Sequence, residues 1–503
     1  MPRGALHVGL FVPVWPMSDT SASDMLRPPA SEWASLLASN RQLLNDSGDV
    51  VVGVSRQALR AQLLEAAFAF TQELCSVAAE RGVVLPAVPA PEADRPLVMT
   101  GHQPLVYHSG LLFKEETLNS FSRTERCTAL SVTIDSDEGD GGRVLWPAIE
   151  GSLLAVREGS LVRNREGLYR DQLLAHEEEV GNVFGQMLQD LRAGGMSQCE
   201  ESVLKAKEIY CKLSGVPIVK AHSIARRAMA GFSHLELPLT HVALLPEARK
   251  FFEGMVTHAG EVAALYNTTL DGYRASHKIR NAANPFPNMK VGEDSVELPL
   301  WLLSGSARVP VRANRMVGAS LPEGVVVPRG SIVTLLLRAF CADFFIHGLG
   351  GGKYDQFVDS FGSCYLKSAL PLFVVASRTR YLFPDKVRSL EAELDLKSAL
   401  KNVVSHPQNF LRRGLFSSEE EQELLAASNE RAELLAALKS ATDAAERSRV
   451  AHQLNALNSR IREFLEKTPL YSRLQSADCS DAALKSWSFR EFPFFMWKAG
   501  RLG

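Results

Sequence analysis

The pattern of apolar and polar residues predicts alternating strands and helices in the first part of the chain. Residues 50–54 have strand character, and a helix is predicted over about residues 55–81. The prolines of LPAVPAPEADRP prevent a helix from continuing, so this stretch is predicted to be a connector. Residues 96–137 then contain the apolar run PLVM, the helical segment GLLFKEETLNSF and a second apolar run, TALSVTID. This order predicts a βαβ unit and hence a parallel sheet.

A second sheet-forming segment is predicted about 230 residues after the first. Helical periodicity dominates between about residues 175 and 300, as in HEEEVGNVFGQMLQDL. From Gly330 the chain is strongly apolar (SIVTLLLRAFCADFFIHG) and has sheet-like character. A glycine run, a helix over about residues 354–366 and the strand-like PLFVVAS at 371–377 follow.

Residues 417–467 differ in composition, because they lack glycine and proline and are rich in Ala, Leu, Glu and Arg. Ser417 and Glu420 have the spacing of a capping box, and a polar break falls at residues 440–443. Apolar residues then repeat at heptad spacing, at Val450, Leu454, Leu457, Ile461 and Phe464. We predict an antiparallel coiled-coil hairpin that packs against its own chain or a second copy. The aromatic tail WSFREFPFFMWKAG is predicted to dock on a domain surface.

Composition narrows the class of protein. A chain of 503 residues predicts two or three domains, or one domain with long insertions. Lys+Arg (55) nearly balance Asp+Glu (57), so no global charge argues for nucleic acid or a membrane surface as a partner. The seven cysteines never form Cys-x-x-Cys, which favours a reducing cytoplasm over a disulfide framework or a zinc ribbon. Pro13 and Pro16 break the N-terminal apolar run, so we do not interpret it as a signal peptide.

The first candidate for chemistry is TGHQPLVYHSGLLFK, residues 100–114. Gly101, His102, His108 and Gly110 fall between a predicted strand and a predicted helix, at the carboxyl edge of the sheet. Backbone N–H groups at that helix start attract phosphate or carboxylate, and the imidazoles can add hydrogen bonds or charge. The alternative is structural: His102 caps a turn and His108 caps the helix.

The second candidate is IDSDEGDGGR, which follows the second strand of the same unit. Alternation along a persisting strand places Asp135 and Asp137 on one face, with Glu138 and Asp140 close by. Their like charges favour a cation, a sugar hydroxyl or an ammonium group between them. A solvated acidic turn is the alternative. A calcium loop is rejected because Trp146 occupies the position of its closing glutamate.

The third candidate is FFIHGLGGGKYD, residues 344–355. Apolar residues lead into His347, and glycines then permit close backbone approach to a phosphate or nucleotide, with Lys353 as counter-charge. The segment is not a Walker loop, because Tyr354 occupies the Ser/Thr position. Glycine-rich turns are common, but this one shares its histidine and its following helix with the first candidate.

These segments resemble the cysteine-adding enzyme family of bacillithiol biosynthesis (BshC). Residues 100–104, TGHQP, are similar to the family's Thr-Gly-Gln-Gln segment, with His102 in place of the first Gln. Residues 134–138, IDSDE, stand where the family has an acidic cluster of the type Glu-Asp-His-Asp. Residues 345–354, FIHGLGGGKY, stand at the family's glycine-rich turn and Tyr-containing helix. The departures suggest a divergent branch with the same fold and another acceptor.

The resemblance implies an α/β fold: a Rossmann-like parallel-sheet core with helical insertions and a C-terminal antiparallel coiled-coil hairpin, which in the family mediates dimerisation. The implied divisions are an N-terminal segment of the core (1–95), the first half of the core (96–175), a helical connecting region (176–300), the second half of the core (301–416), the coiled-coil hairpin (417–468) and a docking tail (469–503).

The resemblance also implies a ligase that joins cysteine, or a similar amino compound, to a small acceptor such as an amino sugar. The catalytic residues are then His102, His108, Asp135 and Asp137, with the aspartates holding an ammonium or hydroxyl group and the histidines assisting proton transfer. The predicted substrate-binding residues are Thr100, Gly101, Gln103, Glu138, His347, Gly350, Gly351, Gly352, Lys353, Tyr354 and Asp355. We assign no metal ligands, leave ATP open as a cofactor, and expect small-molecule substrates and a homodimer.

Two alternatives stay open. The first is an ATP-dependent nucleotidyltransferase of the superfamily with a His-x-Gly-His turn, which Tyr107-His108-Ser109-Gly110 matches only loosely. The second is a non-catalytic relative that binds a ligand or a partner. Convergence of the three candidate segments on one cleft would favour an enzyme over the second alternative.

Overall fold

A six-stranded sheet forms the centre of the molecule. The computed structural model describes residues 24–281, 283–314, 320–411, 413–476 and 478–497. The N-terminal run considered above as a signal peptide lies outside the described residues, as does the end of the tail, residues 498–503. In those ranges, no helix combines the length and the apolarity that crossing a membrane requires.

Strands and helices alternate through most of the chain. The strands are β1 (Asp24–Arg27), β2 (Val50–Val51), β3 (Val54–Ser55), β4 (Leu97–His102), β5 (Thr128–Thr133), β6 (Arg143–Glu150), β7 (Leu153–Ser160), β8 (Leu235–Pro238), β9 (Ser295–Ser304), β10 (Ala307–Asn314), β11 (Val325–Pro328), β12 (Phe344–His347) and β13 (Phe373–Arg378). The helices are α1 (Trp33–Asp46), α2 (Arg56–Glu80), α3 (Ser109–Thr124), α4 (Glu177–Ala193), α5 (Glu200–Lys212), α6 (Ile218–Ala230), α7 (Leu239–Leu244), α8 (Pro246–Thr257), α9 (Ala259–Ser276), α10 (Gly330–Phe340), α11 (Leu349–Leu366), α12 (Pro384–Leu400), α13 (Ser418–Ser440), α14 (Ala444–Lys467), α15 (Pro469–Gln475) and α16 (Asp481–Trp487).

The main sheet has the strand order β1-β13-β12-β4-β5-β8. The five strands from β13 to β8 run parallel, and β1 pairs antiparallel with β13 at one edge. The parallel pairing of β4 with β5 confirms the predicted βαβ unit. From β4 the chain builds outward to β5 and β8, and it then returns to the other side with β12 and β13. The order therefore reverses between β4 and β12, and open α/β sheets bind ligands at the carboxyl edge of such a reversal.

Both faces of the sheet are covered, which explains why its strands are continuous apolar runs. Along β4, Leu97 and Met99 pack into the main core, whereas Val98 joins a second cluster around Trp33 and Phe344 on the other face. Side chains alternate between the two faces with a period of two residues. Burial contributes roughly 1.5–3 kcal/mol for each large apolar side chain. Apolar packing on both faces of the sheet therefore fixes the positions of the strand ends.

Three predicted elements differ from the structure. Residues 50–54 are not a strand of the main sheet, because β2 and β3 pair only with each other in a short hairpin. Residues 330–340, predicted to be sheet-like, form α10. This helix is apolar almost all round because nearly every face of it is buried. The helical region 176–300 also supplies a strand, β8, which pairs with β5 in the main sheet.

The glycine run after β12 is the first turn of α11, which begins at Leu349 rather than near residue 354. Close packing explains one of these glycines. A Cβ atom on Gly352 would lie 2.6 Å from Cγ2 of Val375 on the neighbouring strand. The absence of a side chain at Gly352 therefore lets α11 pack closely against β13. Gly352 is explained by this packing and not by a turn that only glycine can form.

Two long helices follow the core. Ser417 begins α13 with the predicted capping box, and the Asp443 side chain caps α14. Leu424 of α13 lies in one buried cluster with Leu457 and Ile461 of α14. The two helices therefore pack against each other.

Candidate functional site

A cavity of about 560 Å³ opens at the carboxyl edge of the main sheet. The ends of β4, β12 and β13 and the turn after β5 line it, together with the first turns of α3, α10 and α11. Phe286, Trp301 of β9 and Arg490 of the tail also contribute to the lining. The volume falls within the range of small-molecule sites, and the position is the strand-order reversal between β4 and β12.

Three helix N-termini converge on this cavity, each from a helix of 11 residues or more. The starts of α10 and α11, at Arg329 and Gly348, have no side-chain cap. Their first backbone N–H groups therefore lack the side-chain acceptor that most helix starts have. Together with the positive ends of the helix dipoles, they favour a negatively charged ligand.

Lys114 adds a buried cation to the same wall. Its side chain is about 5% exposed, and its ammonium group donates a hydrogen bond of 2.9 Å to the carbonyl oxygen of Gly101. Within the described part of the chain, no carboxylate forms an ion pair with it. Burial lowers the pKa of Lys114 from its ordinary 10.5 to about 8. A Cβ on Gly348 would lie 3.6 Å from its Cδ, so Lys114 reaches into the crevice between the ends of β4 and β12.

The two histidines of the first candidate segment line the cavity in different ways. Nδ1 of His108 accepts a hydrogen bond of 3.1 Å from the backbone N–H of Gly110, so His108 does cap α3. The ring of His102 packs edge-on against Tyr107, with ring centres 5.5 Å apart. Burial, followed by the charge of Lys114, holds the pKa of His102 well below its usual value. Burial also lowers the pKa of His108. Both rings are therefore held as neutral imidazoles, which can donate or accept hydrogen bonds.

The C-terminal tail packs against this part of the site. Pro493 forms a bridge with His108, and the backbone N–H of Phe494 donates a hydrogen bond of 2.8 Å to the carbonyl oxygen of Tyr107. Phe492 and Phe495 beside them are buried in the main core. The tail thereby fixes the loop that carries His108.

His347, at the end of β12, belongs to a buried polar network. Its Nε2 lies 2.8 Å from Oδ2 of Asp355 on α11. The hydroxyl group of Thr334 donates to Oδ1 of Asp355 at 2.7 Å, and Arg338 donates to Oδ2 at 2.5 Å. These partners hold the pKa of Asp355 well below its usual value although burial opposes this. Asp355 is therefore ionised.

The predicted acidic pair is not formed. β5 ends at Thr133, so strand alternation does not continue to the aspartates. Asp135 is buried outside the cavity lining, and its oxygens accept hydrogen bonds from the backbone N–H and the hydroxyl group of Thr240. Asp137 does line the cavity; it accepts a hydrogen bond of 2.9 Å from Gln103 and pairs with Arg308. The two carboxylates therefore have different partners, and only that of Asp137 lines the cavity.

Four other predicted residues also lie outside the cavity lining. Thr100 is buried and donates its hydroxyl group to the carbonyl oxygen of Ile346 at 2.8 Å. Glu138 accepts from the backbone N–H of Arg308. Gly352 packs against β13, and Lys353 is exposed on α11. The predicted residues that do line the cavity are Gly101, His102, Gln103, His108, Asp137, His347, Gly350, Gly351, Tyr354 and Asp355.

Sequence reasoning missed the contribution of α10 and gave Lys114 no role. Arg329 precedes α10, lies 3.7 Å above the ring of Trp301 and pairs with Glu297 at 2.7 Å. The sequence VVVPRGS is an apolar run followed by a glycine and a helix, as in the segments after β4 and β12. This pattern could have indicated that α10 contributes to the site. Arg378 also lines the cavity, but its guanidinium pairs with Asp24 and Glu116.

Alanine substitutions in the glycine run are expected to have opposite effects on stability. Gly350 is exposed, and no atom lies within 4 Å of the position that a Cβ would occupy, so Gly350→Ala is expected to raise the free energy of unfolding by about 0.4–1 kcal/mol. Gly352→Ala forces a methyl group against Val375 and is expected to lower the free energy of unfolding by about 1–3 kcal/mol. Urea unfolding of both variants measures the difference. Equal stabilities would contradict the packing assigned to α11.

The fold and the cavity define an α/β protein with a candidate small-molecule site at the edge of a mostly parallel sheet. Neither a scan against protein-family models nor a search of curated proteins finds a match to this chain. Among the described residues, no three or more His, Cys, Asp or Glu side chains are grouped so as to hold a metal ion.

Proposed function

We propose that the protein is a BshC-like ligase or transferase that joins cysteine, or a similar amino compound, to a small acceptor such as an amino sugar. The observation that carries this proposal is that one cavity is lined both by oxygen acceptors and by groups that attract anions. Gln103 and Asp137, which contact each other, offer oxygen atoms suited to an ammonium or hydroxyl group. Lys114 and the uncapped starts of α10 and α11 offer positive charge, suited to an anionic group. Substrates that carry both an amine and an anion match this combination of groups.

The candidate catalytic groups follow from the same geometry. His102 lies at the end of β4 beside the Lys114 side chain, and burial keeps it neutral, so it is suited to hydrogen-bond the substrate. Asp355 is buried among His347, Arg338 and Thr334, whereas the Asp137 side chain is 28% exposed. Asp137 is therefore the lining carboxylate that an amine can reach, in exchange for its contact with Gln103 or Arg308. Asp135 is left out of the proposed machinery because it is buried outside the cavity lining.

We also propose that the core is Rossmann-like and that α13 and α14 form a coiled-coil hairpin. Counted in chain order, the five parallel strands lie in the order 3-2-1-4-5, which supports a Rossmann-like core. The packing of α13 on α14 and the ion pair between Glu430 and Arg460 support a coiled-coil hairpin. We propose that this hairpin mediates a homodimer, as the family resemblance implies.

A nucleotidyltransferase is the second candidate, and one observation favours it. Phe286, Trp301 and Tyr354 line the same cavity, which already offers helix starts for phosphate groups. Aromatic rings can stack on a nucleotide base. ATP would be the substrate in that case, and pyrophosphate would be released.

One assay separates these functions. Purified protein is incubated with cysteine and amino-sugar acceptors, with and without ATP and magnesium, and products are followed by mass spectrometry and pyrophosphate release. A coupled product supports the ligase, whereas pyrophosphate with a nucleotidylated acceptor supports the second candidate. Ligand binding without any product would support the non-catalytic alternative.

Asp137→Asn is expected to lower turnover by at least about 100-fold, because the carboxylate contacts the proposed amine. The melting temperature should change little, because the ion pair of Asp137 with Arg308 is partly exposed. Asp171→Asn is a matched control: Asp171 also pairs with an arginine, Arg170, but does not line the cavity. Turnover of Asp137→Asn equal to that of the control would contradict the role given to Asp137.

A further inference from the structure

We propose that His347 is the general base of the site and that Asp355 is its positioning residue. This inference rests on the proposed function, since it concerns the proton that a reacting amine must lose. The imidazole lines the cavity, and its Nε2 lies 2.8 Å from the Asp355 carboxylate. A carboxylate beside one ring nitrogen selects the tautomer, as in hydrolase triads, although the two nitrogens exchange roles: in those triads the carboxylate holds Nδ1, and here it holds Nε2.

The tautomer follows from the partners of Asp355. Oδ1 of Asp355 accepts from Thr334, and Oδ2 accepts from Arg338, so the carboxylate is ionised and can only accept further hydrogen bonds. Nε2 of His347 must therefore carry the proton. In the neutral ring Nδ1 is then the nitrogen with the lone pair, and within the described residues it has no hydrogen-bond partner.

The surroundings keep Nδ1 in place and accessible. The imidazole lies between the rings of Phe345 and Phe373, at centroid distances of 4.6 and 4.9 Å, which fix its plane. Gly351, which also lines the cavity, lies directly beside Nδ1: a Cβ at this position would be 2.9 Å from that atom. The absence of a side chain at Gly351 therefore leaves the lone pair open to a substrate.

The proposed step is a proton transfer coupled to bond formation. The substrate amine forms a C–N bond to the carbon of an activated acyl group, such as an acyl phosphate, and its proton passes to Nδ1. The imidazolium so formed is stabilised by the Asp355 carboxylate. As the C–O bond to the leaving group breaks, the leaving oxygen takes the proton from Nδ1, and His347 returns to its starting state.

A structural role is the alternative: the network could simply join α10, β12 and α11. Asp359 supplies the control, because it also pairs with Arg338, at 2.7 Å, but has no hydrogen bond to His347. Asp355→Asn and Asp359→Asn both remove a carboxylate partner of Arg338. Only Asp355→Asn removes the acceptor that selects the tautomer of His347.

Nitrogen-15 NMR of labelled protein tests the assignment without any substrate. We expect a protonated Nε2 and an unprotonated Nδ1 for His347 in the wild type and in Asp359→Asn, and loss of this pattern in Asp355→Asn. A wild-type ring protonated at Nδ1, or an unchanged pattern in Asp355→Asn, would overturn the inference. Because the spectrum needs no substrate, a wild-type protein with this tautomer but no coupling activity would count against the proposed function instead.

Kinetics complete the test. Asp355→Asn is expected to lower kcat roughly 100- to 10,000-fold with little change in KM, whereas Asp359→Asn keeps most of its activity. Gly351→Ala is a second test in case Asp355→Asn does not fold. This variant keeps the Asp355 carboxylate in place and puts a methyl group against Nδ1 of His347. A strong loss of kcat in Gly351→Ala supports the inference, and full activity would contradict it.

Discussion

Lys114→Met is expected to weaken the binding of an anionic ligand at least tenfold while leaving the melting temperature unchanged or higher. The ammonium group is buried against the carbonyl oxygen of Gly101. A hydrogen bond to a charged group is worth about 1.5–3 kcal/mol, which corresponds to a tenfold or larger change in affinity. Methionine has a similar length and carries no charge that must be desolvated, so the fold loses little. Loss of function combined with gain of stability distinguishes a binding group from a structural one.

The effect of pH has a definite sign. In the folded protein the pKa of Lys114 is about 8, whereas its ordinary value is 10.5. Anion affinity should therefore fall as pH rises through about 8, because the ammonium loses its proton. Stability without ligand should rise over the same window, from about pH 8 to 10.5, because the unfolded chain still binds the proton that the folded chain has released. Lys114→Met should remove both dependences on pH.

Calorimetric titration with inorganic phosphate and thermal unfolding measure the two quantities. Lys205→Met is the control, because Lys205 is exposed on α5 and does not line the cavity. Equal phosphate affinity in the wild type and in Lys114→Met would contradict the role of Lys114. A large drop in melting temperature would assign it to the fold instead.

Arg226→Met is expected to cause the largest loss of stability, about 3–5 kcal/mol in the free energy of unfolding. Arg226 is completely buried and pairs with Glu115 at 3.0 Å and with Glu236 at 3.3 Å. Its removal leaves a buried carboxylate, that of Glu115, without its cation. The guanidinium also lies 4.3 Å from the ring centre of Tyr107, which packs against His102, so the network supports the wall of the cavity.

Urea unfolding measures this loss. Arg163→Met removes the cation of an exposed ion pair, with Glu179, and is expected to change stability little. A loss of less than about 1 kcal/mol in Arg226→Met would mean that the buried carboxylates take up protons and tolerate the change.

The extent to which the fold could be predicted depends on how local each pattern is. The βαβ unit of β4, α3 and β5 is encoded within about 40 residues, so its apolar runs and its helix could be recognised. β8 could not be recognised because it is four residues long and lies among helices, and only its pairing with the distant β5 makes it a strand. α10 has the pattern of a sheet segment because its faces are apolar nearly all round, and a buried helix and a buried strand look alike in such a stretch.

The candidate site shows the same limit. The three turns could be predicted to meet because the carboxyl ends of parallel strands share one edge of a sheet. The direction of individual side chains could not be predicted. Asp135 and Asp137 are two residues apart, yet one contacts Thr240 and the other Arg308, because the strand stops before them. The position of Lys114 in the cavity could not be predicted either. It depends on which face of α3 lies against the crevice, and that is decided by packing between distant segments.

The cavity between β4 and β12 is expected to bind an anionic group, and both the proposed function and the role of Lys114 depend on this binding. A crystal structure of the protein soaked in inorganic phosphate tests it. We expect phosphate within hydrogen-bonding distance of the Lys114 ammonium and of backbone N–H groups at the start of α10 or α11, and we expect this site to be empty in crystals of Lys114→Met soaked in the same way. Phosphate bound only elsewhere, or bound equally well in Lys114→Met, would contradict the claim.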